Sequence, residues 1–134
     1  MAGDTLVTVN SEGTLLASAP RTATATSATM KNFTARGVFV GVVVSAATTG
    51  GLTVRIRGVD PISGDNYTLG SYTQITATGR YGFILYPGAV TAALAGTGTV
   101  QTIGTAFLPR QWYVDVTAGD ASSWTYSVSY VLCA

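Results

Sequence analysis

The sequence predicts an all-β protein: a single antiparallel β-sandwich of about seven to eight strands, preceded by an extended N-terminal arm. Segments in which apolar and polar residues alternate recur at intervals of roughly ten residues, and glycine-rich turns separate them. No long stretch has helical periodicity. The 134 residues suit one domain with a substantial core. We therefore expect an arm or hairpin over residues 1–20 and a sandwich domain over residues 21–134.

The chain is organised around residues 108–132, which hold both tryptophans and three tyrosines. Apolar side chains alternate with polar ones over residues 112–117 and again over residues 124–132, as in half-buried strands. Ala118-Gly119-Asp120 between them has the composition of a tight turn. We therefore predict two strands joined as a hairpin.

The remaining elements follow from the same alternation. Turn residues at 48–51, 60–65 and 76–79 separate the middle strands. The segment 89–107 is predicted as a long loop, either functional or interfacial or simply a mobile surface loop. The Val-rich strand predicted over residues 35–45 is apolar on both faces, so we expect both of its faces to be covered. The predicted middle strands span residues 35–45, 52–58, 66–72 and 81–86. The predicted core comprises Val40, Val42, Leu52, Val54, Ile56, Phe83, Leu85, Trp112, Val114, Trp124, Tyr126 and Val128.

Charged residues form only 10% of the chain and the net charge is +1. A nucleic-acid-binding protein would show a basic stripe, so this class is disfavoured. The longest apolar run, residues 37–47, is about half of the ~20 residues that a membrane helix needs. No secretory signal is recognisable, which suggests synthesis in a cytoplasm. A surface of Ser and Thr hydroxyls in place of charges is less costly to desolvate, which favours an assembly.

Residues that could carry chemistry are few. The absence of histidine excludes Ser-His-Asp and Cys-His catalysis, and the single Cys133 reads as a small buried hydrophobe. Asp60, Asp65, Asp115 and Asp120 are interpreted as turn-formers or solvated strand residues in preference to a glycosidase pair or, for residues 60–66, a calcium loop. We therefore predict no catalytic, cofactor-binding or metal-binding residue.

Two sets of side chains could instead bind a partner. The aromatic residues of the 108–132 segment could form a platform for sugars, although their alternation places most of them in the core; Tyr113 is the best candidate for exposure. Arg55 and Arg57 share an outward face, where they are either solvated charges or contacts to an acidic partner.

The order of four motifs resembles a family of small structural proteins of tailed bacteriophages and prophages, similar to head decoration, or cement, proteins. The motifs are RGVFV (36–40), LTVRIRGVDPISG (52–64), YPG (86–88) and LPRQWYVDVTAGDASSWTYSV (108–128). The resemblance covers residues 34–132. It implies a virion component that binds the assembled capsid, has no enzymatic activity and carries over no catalytic residue.

From this resemblance we expect a protein made in the host cytoplasm and located on the capsid surface, with the major capsid protein as partner. We also expect a homo-oligomer, preferably a trimer, because capsid lattices offer local threefold positions. No nucleic acid, membrane or cofactor is expected. The contacts should lie in the N-terminal arm and the 89–107 loop, with Arg55 and Arg57 as weaker candidates. The alternative is a carbohydrate- or receptor-binding module of a tail or fibre, which an exposed aromatic platform would favour.

Overall fold

A computed structural model describes residues 12–89, 98 and 100–133. Ten β-strands and no helix occupy these ranges, so the predicted all-β class is confirmed. The described residues contain no helix that is long and apolar enough to cross a membrane. The strands are β1 (Glu12–Arg21), β2 (Ala25–Thr26), β3 (Met30–Lys31), β4 (Gly37–Ala46), β5 (Leu52–Val59), β6 (Asn66–Ile75), β7 (Gly79–Leu85), β8 (Val100–Gly104), β9 (Gln111–Ala118) and β10 (Trp124–Cys133).

The strands form two packed sheets. The first sheet has the order β1-β10-β4-β7-β8; in the second, β9 lies between β5 and the short strands β2 and β3, and β6 lies beyond β5. Neighbours run antiparallel except β7 and β8, which are parallel. The sandwich is therefore mixed, and the described residues hold more strands than the predicted seven to eight. Strands β2 and β3 have two residues each, too few to show alternation in the sequence.

The core lies between the inner faces of the two sheets. All twelve predicted core residues are buried there, with no more than 1% of any of them exposed. On β4, every second residue from Val38 to Val44 points inward, as the alternation predicts. Trp112 of the second sheet meets Tyr130 of the first edge to face, with ring centroids 5.5 Å apart. The period-two pattern therefore located the core correctly.

The predicted hairpin between the last two strands is wrong. Strand β9 pairs with β5 in the second sheet, while β10 pairs with β1 and β4 in the first. In a hairpin, both tryptophan-bearing faces would lie on one side of the same sheet. Placing the strands in opposite sheets lets these faces pack against each other across the core, which buries more apolar surface.

Part of the predicted N-terminal arm belongs to the sandwich. Residues 12–21 form β1, which pairs antiparallel with β10 from Glu12 opposite Val131 to Arg21 opposite Trp124. Residues 12–20 of the predicted arm therefore lie in a strand at the edge of the first sheet, beside β10, and Leu15 and Leu16 pack on the core. Residues 1–11 lie outside the described residues.

The segment predicted as a loop over residues 89–107 contains strand β8, which extends the first sheet beside β7. Two glycines let β8 approach β6 of the other sheet. A Cβ on Gly104 would lie 2.5 Å from the Leu69 carbonyl oxygen, and one on Gly70 would lie 2.6 Å from that of Ile103. Any side chain at either position would push the two strands apart. Residues 90–97 and 99 lie outside the described residues.

Candidate interaction surface

The Asp60–Asp65 loop uses its oxygen atoms to build a turn. The Asp60 carboxylate accepts the backbone N–H groups of Ile62 and Ser63, at 2.8 and 3.0 Å, and the hydroxyl of Tyr67, at 3.0 Å. These hydrogen bonds, the one from the Ser63 backbone above all, lower the pKa of Asp60. The described residues contain no cluster of three or more His, Cys, Asp or Glu side chains that could hold a metal ion.

Asp115 was predicted to be a solvated strand residue or a turn-former, and this is wrong. Only 5% of its surface is exposed, although it lies on the outer face of the second sheet. Arg55, directly opposite on β5, donates to both carboxylate oxygens at 2.8 and 3.1 Å, and Arg57 donates at 3.4 Å. Neighbouring side chains on a sheet face are close enough for such ion pairs. Arg55 and Arg57 are thus engaged within the protein.

The aromatic side chains of the 108–132 segment do not assemble into an exposed platform. Trp112, Trp124, Tyr126 and Tyr130 are buried in the core, and the Trp124 indole donates to the Thr49 carbonyl oxygen at 3.0 Å. Tyr113 lies on the outer face of the second sheet, as predicted, but it is half-buried beside Arg57. A sugar placed against this segment would therefore meet one partly covered ring.

Exposed apolar side chains are concentrated at one end of the sandwich. We call this region, formed by residues 31–36, 59–67 and 105–110, the aromatic end. Strands β3 and β5 flank the start of β9 there, since Met30 and Gly58 both pair with Trp112. Among the described residues, seven large hydrophobic side chains are exposed, and four of these lie at the aromatic end: Phe33, Ile62, Tyr67 and Phe107.

A buried asparagine holds two loops of the aromatic end together. The Asn32 side-chain amide donates to the carbonyl oxygens of Ala35 and Leu108 at 2.8 and 3.0 Å, and its oxygen accepts from the Ala35 N–H. The backbones of the two loops pair as well, from Asn32 to Arg110 at 2.7 Å and from Leu108 to Arg36 at 2.8 Å. The loops that carry Phe33 and Phe107 therefore have a hydrogen-bonded base.

The loop over residues 59–67 is held against the loop over residues 105–110 by close packing. A Cβ on Gly58 would lie 2.9 Å from Cγ of Pro109, so the proline ring rests directly on the last part of β5. The Asp60–Asp65 loop begins two residues later. The three loops thus start from one packed base, and their apolar side chains project from it.

The aromatic end also carries positive charge. Lys31, Arg36 and Arg110 are exposed there, and the Arg110 guanidinium lies 5.4 Å from the centre of the Phe33 ring. The 59–67 loop of the same end has two carboxylates: Asp60 accepts hydrogen bonds from its own loop, and Asp65 is exposed. The sequence offered one signal for this surface: Ile62 and Phe107 are large apolar residues in a predicted turn and a predicted loop, and Phe33 lies outside the predicted strands.

The outer face of the first sheet is more open than predicted. Val43 on β4 is 45% exposed, so the expectation that both faces of this strand are covered is wrong within the described residues. The Phe39 ring lies beside Gly41 and Gly82: a Cβ on Gly82 would come within 2.9 Å of the ring, and one on Gly41 within 3.4 Å. Cys133, near the end of β10, is half-buried, and this burial raises the pKa of its thiol.

Hydroxyl groups join the turns at the opposite end of the sandwich. The Asp120 carboxylate accepts the hydroxyl of Thr49 and the backbone N–H of Ser122, both at 2.8 Å. Thr49 and Ser122 share a further hydrogen bond of 2.8 Å. These hydrogen bonds lower the pKa of Asp120 below its ordinary value. Those from Ser122 have the larger effect, and the one from Thr49 has a smaller effect.

This network predicts a loss of stability in acid. Because the pKa of Asp120 is lower in the folded state, its carboxylate stabilises the fold above the ordinary value of 3.8, and this contribution is lost as the pH falls through the folded pKa. We expect Asp120→Asn to reduce the difference between the free energies of unfolding at neutral and at strongly acidic pH. Urea denaturation at a series of pH values measures this. An unchanged difference would contradict the role of Asp120.

Comparison with known proteins assigns no family to the chain. Neither a protein-family model nor a curated protein matches it.

Proposed function

We propose that the protein is a non-enzymatic virion structural protein that binds and stabilises the outer surface of a bacteriophage capsid. The motif order over residues 34–132 suggests this function. The observation that carries it against a sugar-binding function is the burial of Trp112, Trp124, Tyr126 and Tyr130. These rings stabilise the fold, so the 108–132 segment does not provide the aromatic platform on which a glycan would stack.

The proposed partner is the major capsid protein, and the proposed location is the capsid surface of the virion. We also propose a homo-oligomer, with a trimer preferred because capsids offer threefold positions. Of the contact regions expected from the sequence, residues 12–21 belong to β1 and the two arginines are engaged with Asp115. Residues 1–11 and 90–97 lie outside the described residues. The aromatic end is therefore the described surface best suited to a contact.

The decisive experiment adds the purified protein to phage heads that lack it. We expect saturable binding, measured as copies per head, together with greater resistance of the heads to heat or to a chelator. Binding should persist at raised salt, because burial of apolar and hydroxyl surface is screened less than exposed charge.

Two results would overturn the proposal. One is the absence of saturable binding to heads. The other is binding without any gain in particle stability, combined with binding of the free protein to a glycan array. The second result would favour the alternative, a carbohydrate- or receptor-binding module of a phage tail or fibre.

A further inference from the structure

We infer that the aromatic end is the docking surface, and that it fits an apolar patch of a protein partner bordered by acidic side chains. The inference rests on the proposed function and deepens it by naming the contact surface and the chemistry of its partner. Phe33, Ile62 and Phe107 are 72%, 94% and 67% exposed. Single exposed hydrophobic residues are ordinary on protein surfaces, but several gathered on adjoining loops mark an interaction site.

The base of this surface is ordered before any partner binds. Asn32 is buried and bonds across both loops, and Pro109 is packed against Gly58. A surface built on such a base loses little conformational entropy when it binds. Only the projecting side chains need to be ordered, and phenylalanine has only two rotatable side-chain bonds.

The charges of the aromatic end indicate what the partner carries. Lys31, Arg36 and Arg110 form no ion pair within the described residues, and they lie on the two loops that carry Phe33 and Phe107. Arg110 lies over one face of the Phe33 ring, so a partner that covers this ring also meets the guanidinium. Carboxylates at the border of the partner's patch would match these cations and steer the approach.

The charge balance of the aromatic end favours a different protein over a second copy of this chain. Lys31, Arg36 and Arg110 outnumber the carboxylates of Asp60 and Asp65, so two copies of the surface brought face to face repel each other on balance. A protein whose apolar patch has an acidic border avoids this repulsion, and the capsid subunit is the partner that the proposed function supplies.

The test compares how the parent protein and two double variants bind to phage heads that lack the protein. The Phe33→Ser/Phe107→Ser variant removes two projecting rings, and Val43→Ser/Val131→Ser removes two exposed valines from the outer face of the first sheet. We expect the phenylalanine variant to bind more weakly by about tenfold or more for each side chain removed, since exposed rings at an interface centre dominate affinity. The valine variant should bind like the parent. Circular dichroism and thermal melting confirm that each variant is folded.

Two further variants keep the test decisive if the double phenylalanine variant does not fold. Ile62→Ser alters a loop tip, and Arg110→Glu reverses the charge beside Phe33. We expect both to weaken binding, and Arg110→Glu to slow association most at low salt.

The outcomes separate the two claims. Failure of the parent protein to bind heads overturns the proposed function and this inference with it. If the parent binds and these variants bind equally well, the inference is overturned while the function stands. A third outcome is that the parent binds anionic phospholipid vesicles and the phenylalanine variant does not, while both proteins bind heads. This would assign the surface to a membrane and overturn the inference.

Discussion

Replacing Trp112 with alanine is expected to lower the free energy of unfolding by about 3–5 kcal/mol. The side chain is fully buried between the two sheets and meets the Tyr130 ring edge to face. Truncation removes its apolar surface from the core and leaves a cavity that the surrounding strands can fill only in part. Urea denaturation, followed by circular dichroism, measures the change.

Trp112→Phe provides the matched control. The Trp112 indole N–H is buried without a hydrogen-bond partner among the described residues, so phenylalanine removes an unsatisfied donor and keeps most of the ring volume. We expect it to cost about 1.5 kcal/mol or less. If Trp112→Ala unfolds at the same urea concentration as the parent, Trp112 is not a core residue and the register of β9 is wrong.

The second large effect is expected at Asp115, whose replacement by alanine should cost about 2–3 kcal/mol. The substitution leaves the Arg55 and Arg57 guanidinium groups without the carboxylate that both contact. Removing one partner of a buried ion pair is costly because it strands the other charge. We expect less than the full cost of a deeply buried pair, because about a third of the Arg55 side chain is exposed. Thermal and urea unfolding measure the loss.

Two comparisons show whether stranded charge is the cause. Adding Arg57→Met to Asp115→Ala removes one stranded guanidinium and should restore about 1 kcal/mol, which a double-mutant cycle measures. Asp65→Ala, in an exposed loop, should change stability by about 0.5 kcal/mol or less. If Asp115→Ala costs no more than Asp65→Ala, the carboxylate is effectively solvated.

The candidate surface was only partly predictable from the sequence. Phe33, Ile62 and Phe107 are distant in the chain, and each by itself is a single apolar residue outside the predicted strands. Their gathering at one end depends on the register of β3, β5 and β9 and on the hydrogen bonds of Asn32. Arg55 and Arg57 could be placed on one face from their spacing, but their shared partner Asp115 lies 60 and 58 residues away in the chain.

What the sequence determined by itself was the inward face of each long strand. Successive side chains leave opposite sides of a strand, so alternation shows which residues are buried without any knowledge of the neighbouring strand. Trp112, Val54 and Phe83 were placed in the core for this reason. Only the tertiary structure decided which strands are neighbours: β9 and β10 were assigned to opposite sheets, β1 was paired with the edge of β10, and β8 was added beside β7. Strand pairing depends on non-local backbone hydrogen bonds and on how two apolar faces fit across the core, and neither leaves a periodic pattern in one strand.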